Sequence, residues 1–249
     1  MDKAFNIGNL FGIQFRLHYT WFIIFFLVTF SLVYPDFFKW YYWLIGIIAS
    51  LLFFVSVVAH ELAHSLVGRA NGIPIESITL FIFGGVSQMT EEVTRPSVEL
   101  KMAVAGPVAS LVIGGVLGLL GLFIANISQP IATVVLWLAI INGVLAVFNL
   151  IPGFPLDGGR VFRSVLWHFS GDYLYSTLIA TRLGRGIAYL FVLSGISIIF
   201  LRPFGLSWFD GIWIMFIGWF LRKAALASYH QVHWQEEVRH FTTTNTNSK

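Results

Sequence analysis

Long apolar runs separated by short polar connectors dominate the chain. Residues 17–34, 41–66, 102–125, 131–149, 184–201 and 206–221 form six such runs. A helix needs roughly 20 apolar residues, with a range of about 17–25, to cross the hydrocarbon of a bilayer. The pattern therefore predicts an all-α polytopic membrane protein with six transmembrane helices, the last two somewhat short. Asp2 and Arg16 flank a long lead-in to the first run, and no small-residue cleavage site follows it. The first run is thus expected to stay as an anchor rather than to leave as a signal peptide.

The stretch 77–89 breaks the pattern. Residues 77–86 are apolar, β-branched and aromatic, yet too short to cross as a helix, and Gly84 and Gly85 interrupt them. Non-helical backbone at membrane depth is tolerated only where protein or water covers its polar groups. The expectation is a re-entrant β-strand or hairpin packed into a cavity; the alternative is a surface loop dipping into the headgroups.

Composition narrows the class. Of 249 residues, 57% are hydrophobic and 11% charged, with 25 Phe and 9 Trp, and mean hydropathy is +0.80. An average soluble domain carries about 25% charged residues. So few charges exclude a disordered chain, a coiled coil, a nucleic-acid-binding domain and an ordinary soluble globule. With no cysteine, a disulfide framework, a thiolate metal site and a thiol nucleophile are excluded as well.

Charge placement adds orientation. Thirteen of the 15 Lys and Arg fall at the N-terminus, in the 66–101 and 150–183 connectors, at Arg185 just inside its run, or in the C-terminal tail; Lys39 and Arg202 are the exceptions. Positive residues accumulate in the cytoplasm, which predicts cytoplasmic N- and C-termini and an even number of spans. Residues 1–221 are expected to form the transmembrane domain and residues 222–249 a cytoplasmic tail.

The candidate chemistry stands near the cytoplasmic end of the second run, at His60-Glu61-Leu62-Ala63-His64. Residues four apart share a helix face, so the two imidazoles converge. This is the spacing of a zinc site whose intervening Glu takes a proton from water. Random placement of this composition gives ~0.006 matches per chain. The motif also follows about eighteen nearly continuous apolar residues, where ionisable groups are expensive. A catalytic zinc takes three protein ligands, and without cysteine the third must be His, Asp or Glu. Most acids lie in connectors or at the termini. Asp157 is the exception, within Phe148-Asn149-Leu150-Ile151-Pro152-Gly153-Phe154-Pro155-Leu156-Asp157-Gly158-Gly159-Arg160, where two prolines and three glycines end the fourth run. Asp157 is either a ligand or a cap for a helix beginning near Gly158. Pro152 and Pro155 have a simple bend as their alternative role.

Together, the His60–His64 motif and Asn149-x-x-Pro152-x-x-Pro155-x-Asp157-Gly158 resemble the paired signature of the site-2 protease family of intramembrane zinc metalloproteases. The resemblance covers most of the chain: Gly12-Ile13-Gln14-Phe15-Arg16-Leu17-His18 is similar to the family's lead-in, Ala105-Gly106-Pro107 to its third-span glycine-proline, and Phe83-Gly84-Gly85 to its re-entrant edge strand. It implies one zinc per chain held by His60, His64 and Asp157, with Glu61 as general base. Asn149, Phe83, Gly84 and Gly85 are then placed near substrate or the developing oxyanion. It implies a metalloendopeptidase of a prokaryotic cell membrane that performs regulated intramembrane proteolysis on transmembrane protein substrates, with a regulatory protein as a further partner and no nucleic acid. Residues 221–229 resemble the tail that leads many members into paired CBS domains, which this sequence does not include. Two other classes stay open at this point, a zinc transporter or sensor and a non-catalytic binder of transmembrane helices.

Overall fold

The computed structural model describes the chain except residues 1–3, 34–38, 82–83, 90–92, 206 and 247–249; for residues 86, 89, 204, 230–233 and 235–246 it describes the backbone alone. The described chain divides into two compact units, Met1–Phe148 and Asn149–Lys249.

The first unit opens with a hairpin of β1 (Ala4–Leu10) and β2 (Ile13–His18). Its two-residue turn has positive φ at both Phe11 (53°) and Gly12 (76°), the geometry whose twist matches that of the flanking strands. The Arg69 guanidinium donates to the Phe11 carbonyl and steadies the turn. Then come α1 (Trp21–Val33), α2 (Trp40–Ala70), β3 (Ile75–Phe81), β4 (Gly84–Met89), α3 (Pro96–Ile124) and α4 (Gln129–Asn149). The four strands form one sheet in sequence order. β2 pairs parallel with β3 across the α1–α2 crossover, and β3 pairs antiparallel with β4.

Ile13 and Phe15 of β2 and Ile75, Ile78 and Leu80 of β3 are buried with Ile73 and Met102, against Val58, Leu62 and Val67 of α2. One face of the sheet thus covers the C-terminal part of α2 and the start of α3. Helices α3 and α4 approach closely through glycine: a Cβ at Gly121 would stand 2.6 Å from Leu136 Cδ2, and one at Gly114 3.0 Å from the Ala139 carbonyl.

The second unit contains α5 (Asp157–Ser170), α6 (Tyr173–Leu201) and α7 (Trp208–Thr246). Gly158 and Gly159 let the start of α5 lie against the preceding loop, since Cβ atoms there would stand 2.5 Å from the Ile151 carbonyl and the Phe154 nitrogen. Gly184 of α6 admits the same loop, at 2.8 Å from the Phe154 nitrogen. Arg163 of α5 lies between the Phe154 and Tyr173 rings, 4.8 and 4.6 Å from their centroids. Gly195, Gly211 and Gly218 bring α6 and α7 together, each within 2.7 Å of a facing backbone carbonyl if given a Cβ.

Among the described residues, five helices, α2, α3, α4, α6 and the 208–229 part of α7, are long and apolar enough to cross a membrane. The chain is thus a polytopic, mainly helical membrane protein. The helix ends differ from the expected runs at several places, among them α2, which ends at Ala70, and α3, which starts at Pro96. The run 17–34 loses its first residues to β2, which is held by ladder bonds on both sides, so α1 has only 13 residues. Helix α6 starts at Tyr173 rather than near 184, because Ser176 and Thr177 satisfy their hydroxyls on the Asp172 and Tyr173 carbonyls of the preceding turn. Helix α7 continues past 221 to Thr246. The expected hairpin over 77–89 is present as β3 and β4, within a larger sheet than the sequence pattern suggested.

Candidate active site

Helix α2 carries His60, Glu61 and His64 in its C-terminal third. Both histidines are buried, at 3% and 5% exposure, and their Nε2 atoms lie 3.2 Å apart. His64 Nδ1 is 2.6 Å from the Met102 carbonyl. A carbonyl only accepts, so His64 carries its proton on Nδ1 and presents the Nε2 lone pair. His60 Nδ1 lies 2.8 Å from Ser110 Oγ, which can accept in the same way. Such partners at the far ring nitrogen fix tautomer and orientation in metal-ligating histidines.

The donor chemistry fits zinc. A tetrahedral ion with nitrogen ligands at about 2.0–2.1 Å holds them roughly 3.3 Å apart, close to the observed separation.

Helix α3 shapes this seat. Met102, Gly106 and Ser110 follow one another at four-residue spacing and therefore share a face. Met102 and Ser110 bond the two rings, and Gly106 between them leaves the space the Nε2 atoms occupy. A Cβ at Gly106 would stand 2.6 Å from His60 Nε2 and nearer still to His64 Nε2. Sequence reasoning noted Gly106 only as part of a glycine-proline resemblance and missed Met102 and Ser110. The four-residue stripe was the available signal.

Glu61 is half-buried and faces the sheet. The Gly85 backbone N–H donates to Glu61 Oε1 at 3.3 Å, and β4 is the terminal strand of the sheet among the described residues. Gly85 has no room for a side chain, since its Cβ would stand 2.7 Å from Glu61 Cδ. Gly84 has φ +123°, a backbone suited to glycine, and its Cβ would be in ordinary contact with Glu61 Oε1 at 3.9 Å. Phe83 lies outside the described residues. His60, Glu61, His64, Gly84 and Gly85 are thus brought together within the first unit.

Asn149 and Asp157 belong to the second unit. Asn149 is the half-buried last residue of α4. Asp157 is the half-buried first residue of α5; the N-cap position falls on Leu156, with no side-chain cap.

Comparison with known proteins agrees with this chemistry. The model of peptidase family M50 matches residues 48–128 and 124–193. A Synechocystis protein provisionally described as a zinc metalloprotease, sll0528, is 39% identical over 97% of this chain and 64% of its own length. The zinc metalloprotease MJ0392 of Methanocaldococcus jannaschii is 37% identical over 79% of this chain and 55% of its own. The chain thus spans less than two thirds of the length of these curated relatives. Among solved structures, the site-2 protease from Methanocaldococcus jannaschii matches with a TM-score of 0.64 and 31% identity, over 91% of this chain and 95% of that one. With the family model spanning more than half of its residues, the chain belongs to peptidase family M50, the site-2 protease family of intramembrane zinc metalloproteases.

Proposed function

We propose that the chain is a zinc-dependent endopeptidase that hydrolyses peptide bonds in or near transmembrane segments of other membrane proteins, close to the cytoplasmic side. The observation that carries this reading is the pair of buried Nε2 atoms 3.2 Å apart, with Glu61 on the same helix bonded to the terminal strand. His60, His64 and Asp157 are the proposed ligands of one zinc, a donor set of the composition that holds a metal ion. Three protein ligands leave the fourth position open, as catalysis requires.

Bound zinc would supply Lewis acidity to the scissile carbonyl and to the attacking water, whose pKa such ions bring toward ~7. Glu61 takes the proton from that water and returns it to the leaving nitrogen. The Asn149 amide donates to the developing oxyanion. A substrate helix hides its carbonyls in its own hydrogen bonds until it unwinds. The edge of β4, which starts at Gly84 and Gly85, pairs with the unwound segment and replaces the bonds it loses; Phe83, next in sequence before it, is proposed to contact the same segment. Substrates are therefore membrane-spanning segments with helix-weakening Gly, Asn or Pro near the cut.

The proposed topology adds α1 to the five long helices as a sixth crossing, with both termini in the cytoplasm of a prokaryotic cell and residues 222–249 as a cytoplasmic tail. The lopsided placement of Lys and Arg supports it. Reporter fusions at the two ends should report the same, cytoplasmic, side. A cytoplasmic regulatory protein is a further proposed partner.

Co-expression of wild type and Glu61→Gln with a panel of single-span substrates tests the activity. Wild type should release chelator-sensitive products, and Glu61→Gln should retain metal and release none. Cleavage by purified Glu61→Gln would remove Glu61 from its role, and a panel without any chelator-sensitive product would favour a non-catalytic helix binder.

A further inference from the structure

We infer that the second unit holds a phosphate-binding site between α6 and α7, independent of the proposed peptidase chemistry. A cavity of about 300 Å³ there is lined by Leu178, Thr181, Arg182 and Arg185 of α6 and by Leu226 and Tyr229 of α7. The α6 residues fall at i, i+3, i+4 and i+7 and so form one helix face.

Two residues of this lining each carry a buried polar atom without a hydrogen-bond partner, the Thr181 hydroxyl and the Arg185 Nε. Thr181 is 2% exposed. One turn earlier, Thr177 bonds back to the Tyr173 carbonyl at 2.8 Å, which is how a helical threonine usually satisfies itself. Thr181 does not, although it has the same option. Leaving a buried hydroxyl and a buried guanidinium N–H unsatisfied is costly, and both residues line one cavity.

Among the described residues, the charged side chains of the lining are both basic: Arg182 is exposed and Arg185 half-buried. Arg222 stands one turn before Leu226 on α7, over the Tyr189 ring at 5.6 Å, and Tyr189 is one turn beyond Arg185. Planar guanidinium forks match the oxygens of a phosphate better than an ammonium does. A hydroxyl donor, two arginines in the lining and a third beside it suit a tetrahedral oxyanion. The apolar Leu178 and Leu226 would lie beside carbon attached to it. A lipid headgroup and free phosphate share this chemistry.

The test uses the full chain purified in neutral detergent. Phosphatidylglycerol, diacylglycerol (the same lipid without phosphate) and inorganic phosphate are offered separately. Retained adducts are counted by native mass spectrometry, and the thermal unfolding midpoint is followed. Phosphatidylglycerol or inorganic phosphate should bind and raise the midpoint, while diacylglycerol should not. The Arg182→Gln/Arg185→Gln variant should bind about tenfold more weakly or worse, given the strength of charge-assisted bonds. Thr181→Val should also weaken binding, yet keep or raise the ligand-free midpoint because it removes an orphaned hydroxyl. That separates lost binding from lost folding. A response to the lipid alone identifies the headgroup as the ligand, and a response to inorganic phosphate identifies the free anion; both support the site. Equal binding by wild type and both variants, or no phosphate-dependent response, overturns it.

Discussion

The space between the two histidines and α3 is the width of an absent side chain. A Cβ at Gly106 would meet His60 Nε2 at 2.6 Å, well inside the separation of non-bonded atoms, so Gly106→Ala should turn both imidazoles aside. Zinc per chain, measured by elemental analysis of the purified protein, should fall sharply. The fold should survive, because alanine is favoured over glycine within a helix by about 1 kcal/mol. Ser110→Ala is the milder counterpart. It leaves the seat open but removes the group that holds His60 Nδ1 at 2.8 Å, and a loss of about 10–100-fold in zinc affinity is expected in a chelator competition. The histidines themselves were legible in the sequence, because a four-residue spacing on a helix is enough to make two side chains meet. The part played by Gly106 was not, since a glycine reports nothing about its neighbours until the facing helix is in place.

Strand β4 and helix α2 are joined by the hydrogen bond from the Gly85 N–H to Glu61 Oε1 and by one between the Ser87 and Ser65 hydroxyls, 3.1 Å apart. Gly85→Ala would press a methyl group against the Glu61 carboxyl, 2.7 Å from Cδ. Cleavage rate should drop by an order of magnitude or more, about 1.4 kcal/mol or above in barrier, while zinc content stays at the wild-type level. A parallel loss of both would mean that the substitution unfolds the seat rather than displacing the proposed base, Glu61. At this scale the long helices were easy to recognise, since continuous hydropathy over twenty residues has few other meanings. The sheet was harder. The alternation in β2 is buried within a longer apolar run, and its partners lie across two helices in β3 and across a tight turn in β1. The start of α6 was hidden for a different reason, because Ser176, Thr177 and Thr181 lower its hydropathy although all three are buried.

For the whole molecule, metal and stability are linked. A ligand that binds only the folded chain stabilises it by RT ln(1 + [L]/Kd), about 4 kcal/mol when free zinc stands at a thousand times Kd. Chelation should therefore lower the thermal unfolding midpoint of the purified protein by several degrees, and zinc should restore it. His64→Ala should abolish that zinc-dependent shift, whereas an unchanged shift would place the ion elsewhere. The curated relatives are longer than this chain, and the Methanocaldococcus jannaschii site-2 protease structure matches it over 91% of its length. The glycine at 106 has a genetic consequence. Glycine and alanine codons differ by a single base, and the replacement favours the helix that carries it. If the proposed zinc is bound there, one point mutation can separate metal from scaffold, leaving selection free to keep an inert descendant with the helices and sheet of its parent.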